Sequence, residues 1–450
     1  MGINHLGLAL SGGAAASLLA DLTAGFSHTV TLLRSMGVGQ LEIEAAAFES
    51  AEGEGISGGA SGQTSGGARG QTSGGASGSS TSRAAARLRS VAAVASRSGW
   101  NVLLSIDLAH LRPTAAALSV AAARGVLRRR LSGVQIGREP NRFTSDGLRP
   151  KGFGPAAYAA ELAEYERDLT AAAPGVPMLA PDVALSFPGA SRWLRAAAGA
   201  RPAELSAMLA QGGDCTHPLQ AVLTEAHDDE ALIEHFASLA RELHLSGQLE
   251  LQGRSCGASG RAAEALWATS LIGQALHAGI AHVLLAGPVV AGQPTGPLIR
   301  GREAHSPAAA DVQPGAEWYA MLLTSRLAGE WPLHASLHST GDGEHQIHAQ
   351  AFEGRSGAVH LLLEDEEKPG SRPFAVRIVI PRQYRKGAIL RLTGDARSSS
   401  GVALGGAEVS RSGRWRAHLP LPAVYGPPSA LSVEMTPSSA ALVTLTPTQP

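Results

Sequence analysis

The sequence predicts an α/β protein: a (β/α)8 barrel followed by a C-terminal all-β sandwich module. Three observations predict it. The chain has 450 residues, too many for one ordinary core and well suited to a barrel of about 250 to 300 residues plus a smaller module. Strand-like and helix-like segments alternate through residue 327, as repeated β-α units do. From residue 328 the texture changes to short strands broken by Gly, Pro, Ser and Asp, the pattern of a sandwich. The expected domains are therefore 1–327 and 328–450. A doubly wound open sheet is the alternative to the barrel.

The elements follow in order. "LALSGGAAASLL" reads as a loop and the start of a helix. It lacks the Lys-Ser/Thr of a P-loop and the G-x-G-x-x-G of a dinucleotide fold. "GQLEIEAAAF" (39–48) reads as a short strand. Residues 57–80 repeat an eight-residue unit three times, "SGGASGQT SGGARGQT SGGASGSS". With nothing apolar larger than alanine, this stretch cannot offset its ordering entropy, and a disordered insertion is expected at 55–82. "TSRAAARLRSVAAVASRSG" (81–99) has helical spacing and a glycine C-cap. "WNVLLSIDL" (100–108) is a buried strand. "RPTAAALSVAAARGVLRRR" (112–130) is a helix with Pro113 in its first turn. "LSGVQIG" (131–137) is a strand that Pro140 prevents from continuing. A helix at 156–173 and a strand at 177–185 come next. "DEALIEHFASLARELHL", "QLELQG", "GRAAEALWATSLIGQALHAG" and "IAHVLLAG" then read as helix, strand, helix and strand. In the module, strands are expected at "HQIHAQAFEG", "AVHLLLEDE", "FAVRIVIP", "AILRLTG", "AEVSRSGRWRAHLP" and "AALVTLTP".

Composition removes several classes of function. The formal net charge is −1, with no basic stripe for nucleic acid. Hydrophobic residues make up 44%, enough for a large core, yet no window reaches the roughly 18 apolar residues of a membrane span. Cys215 and Cys256 are too few for a disulfide framework, and no zinc-ligand spacing occurs. His334/His338 and His345/His348 have metal-like spacing but fall on strands and a turn with no recurring carboxylate, so no metal site is expected. The N-terminus lacks a basic start followed by a long apolar run. A cytoplasmic chain is expected from the sequence as it stands, and a secreted one if the start is truncated.

In a β/α barrel the reacting groups sit at the C-terminal ends of the strands. Glu139 lies just past one strand, in "IGREPNRF". Glu250 lies on another, in "QLELQGRSCGASG". Asp107 ends "LLSID", and Asp182 interrupts "LAPDVAL". Two carboxylates facing each other across a pocket are what glycoside hydrolysis needs, about 5 to 5.5 Å apart in a retaining enzyme.

"IGREPNRF" resembles the Asn-Glu-Pro acid/base segment of the clan A barrel glycosidases. "ELQGRSCG" is similar to the nucleophile segment of glycoside hydrolase family 79, the β-glucuronidase and heparanase-like group, with Glu250, Ser255, Cys256 and Gly257 in register. "AAEALWATSLIGQALHAGIAHVLLAG", with Trp267 in place, resembles the helix and last barrel strand of that family. "QPGAEWYAMLL" is similar to its entry into the final helix. "GVALGGAEVSRSGRWRAHLP" and "SAALVTL" resemble its C-terminal β-domain. The resemblance covers most of the chain. It implies a retaining glycosidase acting on β-glucuronides or related glycans, with Glu139 as acid/base, Glu250 as nucleophile, a carbohydrate as partner and no cofactor. It also implies that His217 supports the nucleophile, that Asp107 stands where the family often has Asn, and that Tyr319 lines the pocket, a core aromatic being its other reading.

The departures cluster around the site. Arg138 replaces the asparagine that holds the sugar 2-hydroxyl. A guanidinium accepts no hydrogen bond. Pointing inward, it either disfavours an oxocarbenium-like transition state or clamps a uronate carboxylate in bidentate fashion. The early Gly-Gly-amide motif reads "LEIEAAAFES", and Gln252-Gly253 replaces Asn-Ser. The alternative function is a catalytically impaired or inactive homologue that serves as a glycan-binding or scaffold protein.

Overall fold

Eight parallel strands close into a barrel in the computed structural model of the chain. The structure describes residues 5–10, 26–45, 77–211, 218–253, 260–286, 297–300, 312–337, 347–367, 370–379, 384–394, 400–410, 412–418, 423–424 and 430–447. The barrel strands are β1 (His5–Leu10), β2 (Gly39–Glu44), β3 (Asn101–Ile106), β4 (Leu131–Ile136), β5 (Met178–Ala184), β6 (Glu204–Ala210), β7 (Ser246–Gln252) and β8 (His282–Ala286). Each pairs with its neighbour in sequence, and β8 closes on β1 through Leu6↔Val283 and Leu8↔Leu285. The ring is shut, which settles the choice against an open doubly wound sheet.

Alternation along the strands sorts residues between two environments. Val102, Leu104 and Ile106 of β3, Leu249 and Leu251 of β7, and their counterparts pack outward in the main core beneath the helices. Ala9, Leu103, Leu179, Leu284 and Ala286 form a separate small cluster, the apolar layer inside the barrel. On its N-terminal side the interior is polar: Gln40 Nε2 donates to Gln248 Oε1 at 2.8 Å, and His282 Nδ1 pairs with Glu204 Oε2 at 2.8 Å. On its C-terminal side come Glu42, Ser105, Asp182 and Glu250, all buried. A thin apolar layer thus separates two polar ends.

A second unit follows. β9 (Leu298–Arg300) and β10 (Val312–Pro314) pair as a short ladder. The larger sheet runs in the order β11 (Trp331–Leu333), β12 (Ile347–Glu353), β13 (Val359–Asp365), β19 (Ser439–Pro447), β15 (Tyr384–Gly394), β16 (Val402–Leu404), with β17 (Ala423–Val424) beside β15. β14 (Phe374–Val379) and β18 (Ala430–Met435) make the second sheet. Leu363, Ile389, Val443 and Leu445 meet Ile378, Leu431, Val433 and Met435 between the two. That is a sandwich.

The helix Arg261–Ala278 joins the two units. Its residues are buried without a break from Ala263 to Leu276, because the barrel covers one side and the larger sheet the other. Gly273 permits the approach of the sheet: a Cβ there would strike the Gln350 side chain and lie 2.7 Å from Leu362 Cδ2. Gly273→Leu is therefore expected to cost roughly 1–3 kcal/mol by overpacking, read as a lowered denaturation midpoint in urea.

Some elements differ from the sequence reading. His5–Leu10 is the first barrel strand rather than loop and helix start, while residues 11–25 lie outside the described set. β6 and the helix Ala190–Ala198 were not anticipated: "ELSAMLA" carries no β-branched or aromatic residue to mark it as a strand. In the module, the described part of 407–420 is irregular apart from a bridge between Leu404 and Ala407, with Gly406 and Gly413 at positive φ. The helix after the repeat begins at Ser77, inside the third copy, and residues 46–76 lie outside the described set.

Candidate active site

The end of β4 is pinned from both sides. Gly137 N donates to Ile106 O of β3 at 3.1 Å, and Glu139 N donates to Asp182 O of β5 at 3.0 Å. Tyr158, buried, donates its hydroxyl to Ile136 O at 3.1 Å. Glu139 then takes a left-handed backbone, φ 46°, ahead of the single turn Pro140–Arg142. Asp182 is left-handed too, at φ 57°. Non-glycine residues in this region cost of order 1–3 kcal/mol and collect where the surroundings over-determine a functional geometry.

Arg138 reaches across the barrel to β7. Its Nη2 pairs with Glu250 Oε1 and its Nη1 donates to Oε2 at 3.2 Å, a two-pronged ion pair between residues 112 positions apart. Glu250 sits in register between Met208 of β6 and Leu284 of β8. Its side chain is 1% exposed, against 21% for Arg138. Burial works against the Arg138 charge, but Glu250 above all, then Asp182 and Glu42, hold its pKa above the ordinary arginine value.

Two further carboxyls face this pair. Desolvation, then the charge of Glu250, push Asp182 up to about 8, Arg138 opposing and Glu139 adding to the rise. Desolvation and the Glu250 and Asp182 charges push Glu42 well above the usual carboxylate range, against the pull of Arg138 and a hydrogen bond from Ser105. Asp182 Oδ2 and Glu42 Oε1 have no hydrogen-bond partner among the described residues. Both shifts favour the neutral, protonated forms of these two carboxyls beside the Arg138–Glu250 pair.

Asp182 is a stability switch with a definite sign. Its folded pKa lies above its unfolded value, so its contribution is full below about 4 and is lost as pH rises towards 8. Wild type should lose stability between pH 5 and 8 more steeply than Asp182→Asn, by about 1 kcal/mol per pH unit. Urea unfolding at several pH values measures the difference.

Glu139 lies nearer the surface. Its side chain is 23% exposed, and Arg142 Nη1 donates to its two oxygens at 3.2 and 3.4 Å. Asp107, at the end of β3, is 55% exposed; it accepts from Ala109 N at 2.7 Å and pairs with His110 Nδ1 at 2.9 Å. Tyr319 is buried in the helix Ala316–Thr324, and its hydroxyl accepts from Val409 N at 2.9 Å, tying barrel to module. His217, Cys215, Ser255, Cys256 and Gly257 lie outside the described residues, as do His338 and His345. Among the described residues no cluster suits a metal ion, and no helix is long and apolar enough to cross a membrane.

Glu42 is the site residue that sequence reasoning missed. Its signal was the alternation in "LEIE": with Leu41 and Ile43 outward, both glutamates fall on the inner face. Glu317 was missed as well. It lies against Gly253, just past β7, where a Cβ would run into its carboxyl group. Burial first, and then Glu264, raise its pKa well above the usual range.

No family model matches the sequence, and none of the curated proteins does. Solved structures do resemble the fold. A 4-O-α-L-rhamnosyl-β-D-glucuronidase from Fusarium oxysporum 12S aligns over 99% of this chain and 97% of its own, with TM-score 0.68 and 13% identity. A family 51 arabinofuranosidase from Xanthomonas axonopodis pv. citri covers 79% of this chain and 78% of its own, at TM-score 0.56 and 12% identity. A family 30 subfamily 8 xylanase from Clostridium acetobutylicum covers 99% and 97%, at TM-score 0.52 and 11% identity. At such identities the likeness is one of fold: a closed eight-stranded barrel carrying a β-sandwich, an architecture this chain shares with glycoside hydrolases.

Proposed function

We propose that the protein is a retaining glycoside hydrolase acting on β-glucuronides or related glycans. Glu250 attacks the anomeric carbon while Glu139 protonates the departing oxygen, so the glycosidic bond breaks with its electron pair on the leaving group. Glu139 then takes a proton from water, which hydrolyses the glycosyl ester and frees Glu250. No step calls for a metal or organic cofactor.

The observation that carries this reading is the convergence at one barrel end. Arg138, adjacent to Glu139 in sequence, holds Glu250, and Glu139 N donates to the backbone carbonyl of Asp182 on β5. Asp107, at the exposed rim, is available to touch a sugar. Tyr319, its hydroxyl spent on Val409, has a packing role. Hydrolysis of an aryl β-glucuronide by the purified chain, with Glu139→Gln and Glu250→Gln beside it, tests the assignment. Turnover indifferent to both substitutions would refute it.

The ion pair favours a second reading. With both oxygens of Glu250 engaged by Arg138, the site is also that of a catalytically silent glycan-binding protein. Sugar binding without turnover across a panel of aryl glycosides would select it.

A further inference from the structure

We propose that Arg138 is a carboxylate-exchange gate over Glu250: an anionic sugar opens the site by taking the guanidinium from Glu250, and a neutral sugar does not. The proposal deepens the function above and rests on its placement of Glu250 in the site.

Position comes first. Arg138 is 21% exposed while Glu250 is 1% exposed, so a ligand arriving from solvent meets the guanidinium before the carboxylate. Chemistry comes second. The two hydrogen bonds to Glu250 use two of the five N–H donors of Arg138, and no other hydrogen bond from this side chain occurs among the described residues. The fork matches any carboxylate. A hydroxyl or a ring oxygen cannot replace Glu250 there without leaving a partly buried cation and a buried anion both unpaired, which is unfavourable.

Charge balance completes the argument. Burial pushes the two other acids facing Arg138, Asp182 and Glu42, towards their neutral forms, which makes them weaker rivals for the guanidinium. When a ligand carboxylate pairs with Arg138, the oxygens of Glu250 are released from the guanidinium and become free to act as a nucleophile. Selection for uronate-type ligands then comes from exchange between two carboxylates for one cation, and Glu250 is the internal competitor.

Competition has a counterintuitive consequence: removing the Glu250 charge strengthens anion binding. The test is calorimetric titration of the full chain with sodium glucuronate and with glucose at pH 6. Wild type should prefer glucuronate. Glu250→Gln should bind glucuronate about tenfold more tightly than wild type, and Arg138→Gln should lose the preference. Equal or weaker glucuronate affinity in Glu250→Gln, or a preference that survives Arg138→Gln, would overturn the proposal. Should Glu250→Gln fail to fold by circular dichroism, the comparison of wild type with Arg138→Gln decides the matter alone. Binding is read here without turnover. A chain that hydrolyses nothing still passes or fails, and a hydrolase whose glucuronate binding ignores Arg138 loses only the gate.

Discussion

Glu250→Gln is expected to lower turnover of an aryl β-glucuronide by about 10³-fold or more, because an amide cannot form the glycosyl ester on which the proposed two-step route depends. Glu139→Gln should behave differently. General acid–base catalysis contributes about 10²–10⁴-fold. The loss in the first step should shrink for a nitrophenyl leaving group, which departs without a proton, and remain full for an alkyl one. The second step stays slow with either, since the base that activates water is gone. Comparing kcat and kcat/KM over leaving groups of graded acidity separates the two roles. A leaving-group dependence in Glu139→Gln identical to wild type would remove Glu139 from the assignment.

Arg138→Met should destabilise the fold by about 3–5 kcal/mol at pH 7, the usual cost of leaving one partner of a buried ion pair alone. The pair spans β4 and β7, so the loss reports on the barrel as a whole. Replacing both partners, Arg138→Met with Glu250→Leu, should return stability close to wild type, since well-packed apolar pairs often match the ionic ones they replace. A urea-based double-mutant cycle gives the coupling directly. A loss under about 1 kcal/mol in Arg138→Met would mean that the two side chains are not paired in solution.

The barrel was legible where the interior demanded long apolar runs. "NVLLSI" and "HVLLA" announce themselves as buried strands, and the spacing of 81–99 and 112–130 sets helices between them. β6 was hidden because Ala, Ser and Met give a strand no propensity of its own; its neighbours β5 and β7 make it one. The carboxylates at the ends of β4 and β7 could be picked out from strand ends and Pro140. Their surroundings could not. The contact between Arg138 and Glu250 is set by barrel closure across 112 positions, which no local pattern encodes. Glu42 belongs to the site because the closed ring places its side of β2 inside. Asp182 was visible as a carboxylate interrupting a strand, but its proton affinity comes from desolvation and from charges on other strands.

The helix Arg261–Ala278, wrapped on all sides, has a consequence for how the protein comes apart. Its apolar neighbours belong at once to the ring and to the larger sheet: Phe352, Leu362, Leu390, Leu392 and Leu442 share one continuous core with the barrel helices. Neither half has a finished surface of its own. A cut near residue 328 would strip the cover from a strip of Leu, Ile and Trp side chains and yield a sticky fragment rather than a smaller folded domain. Heating the intact chain should melt both halves in a single transition.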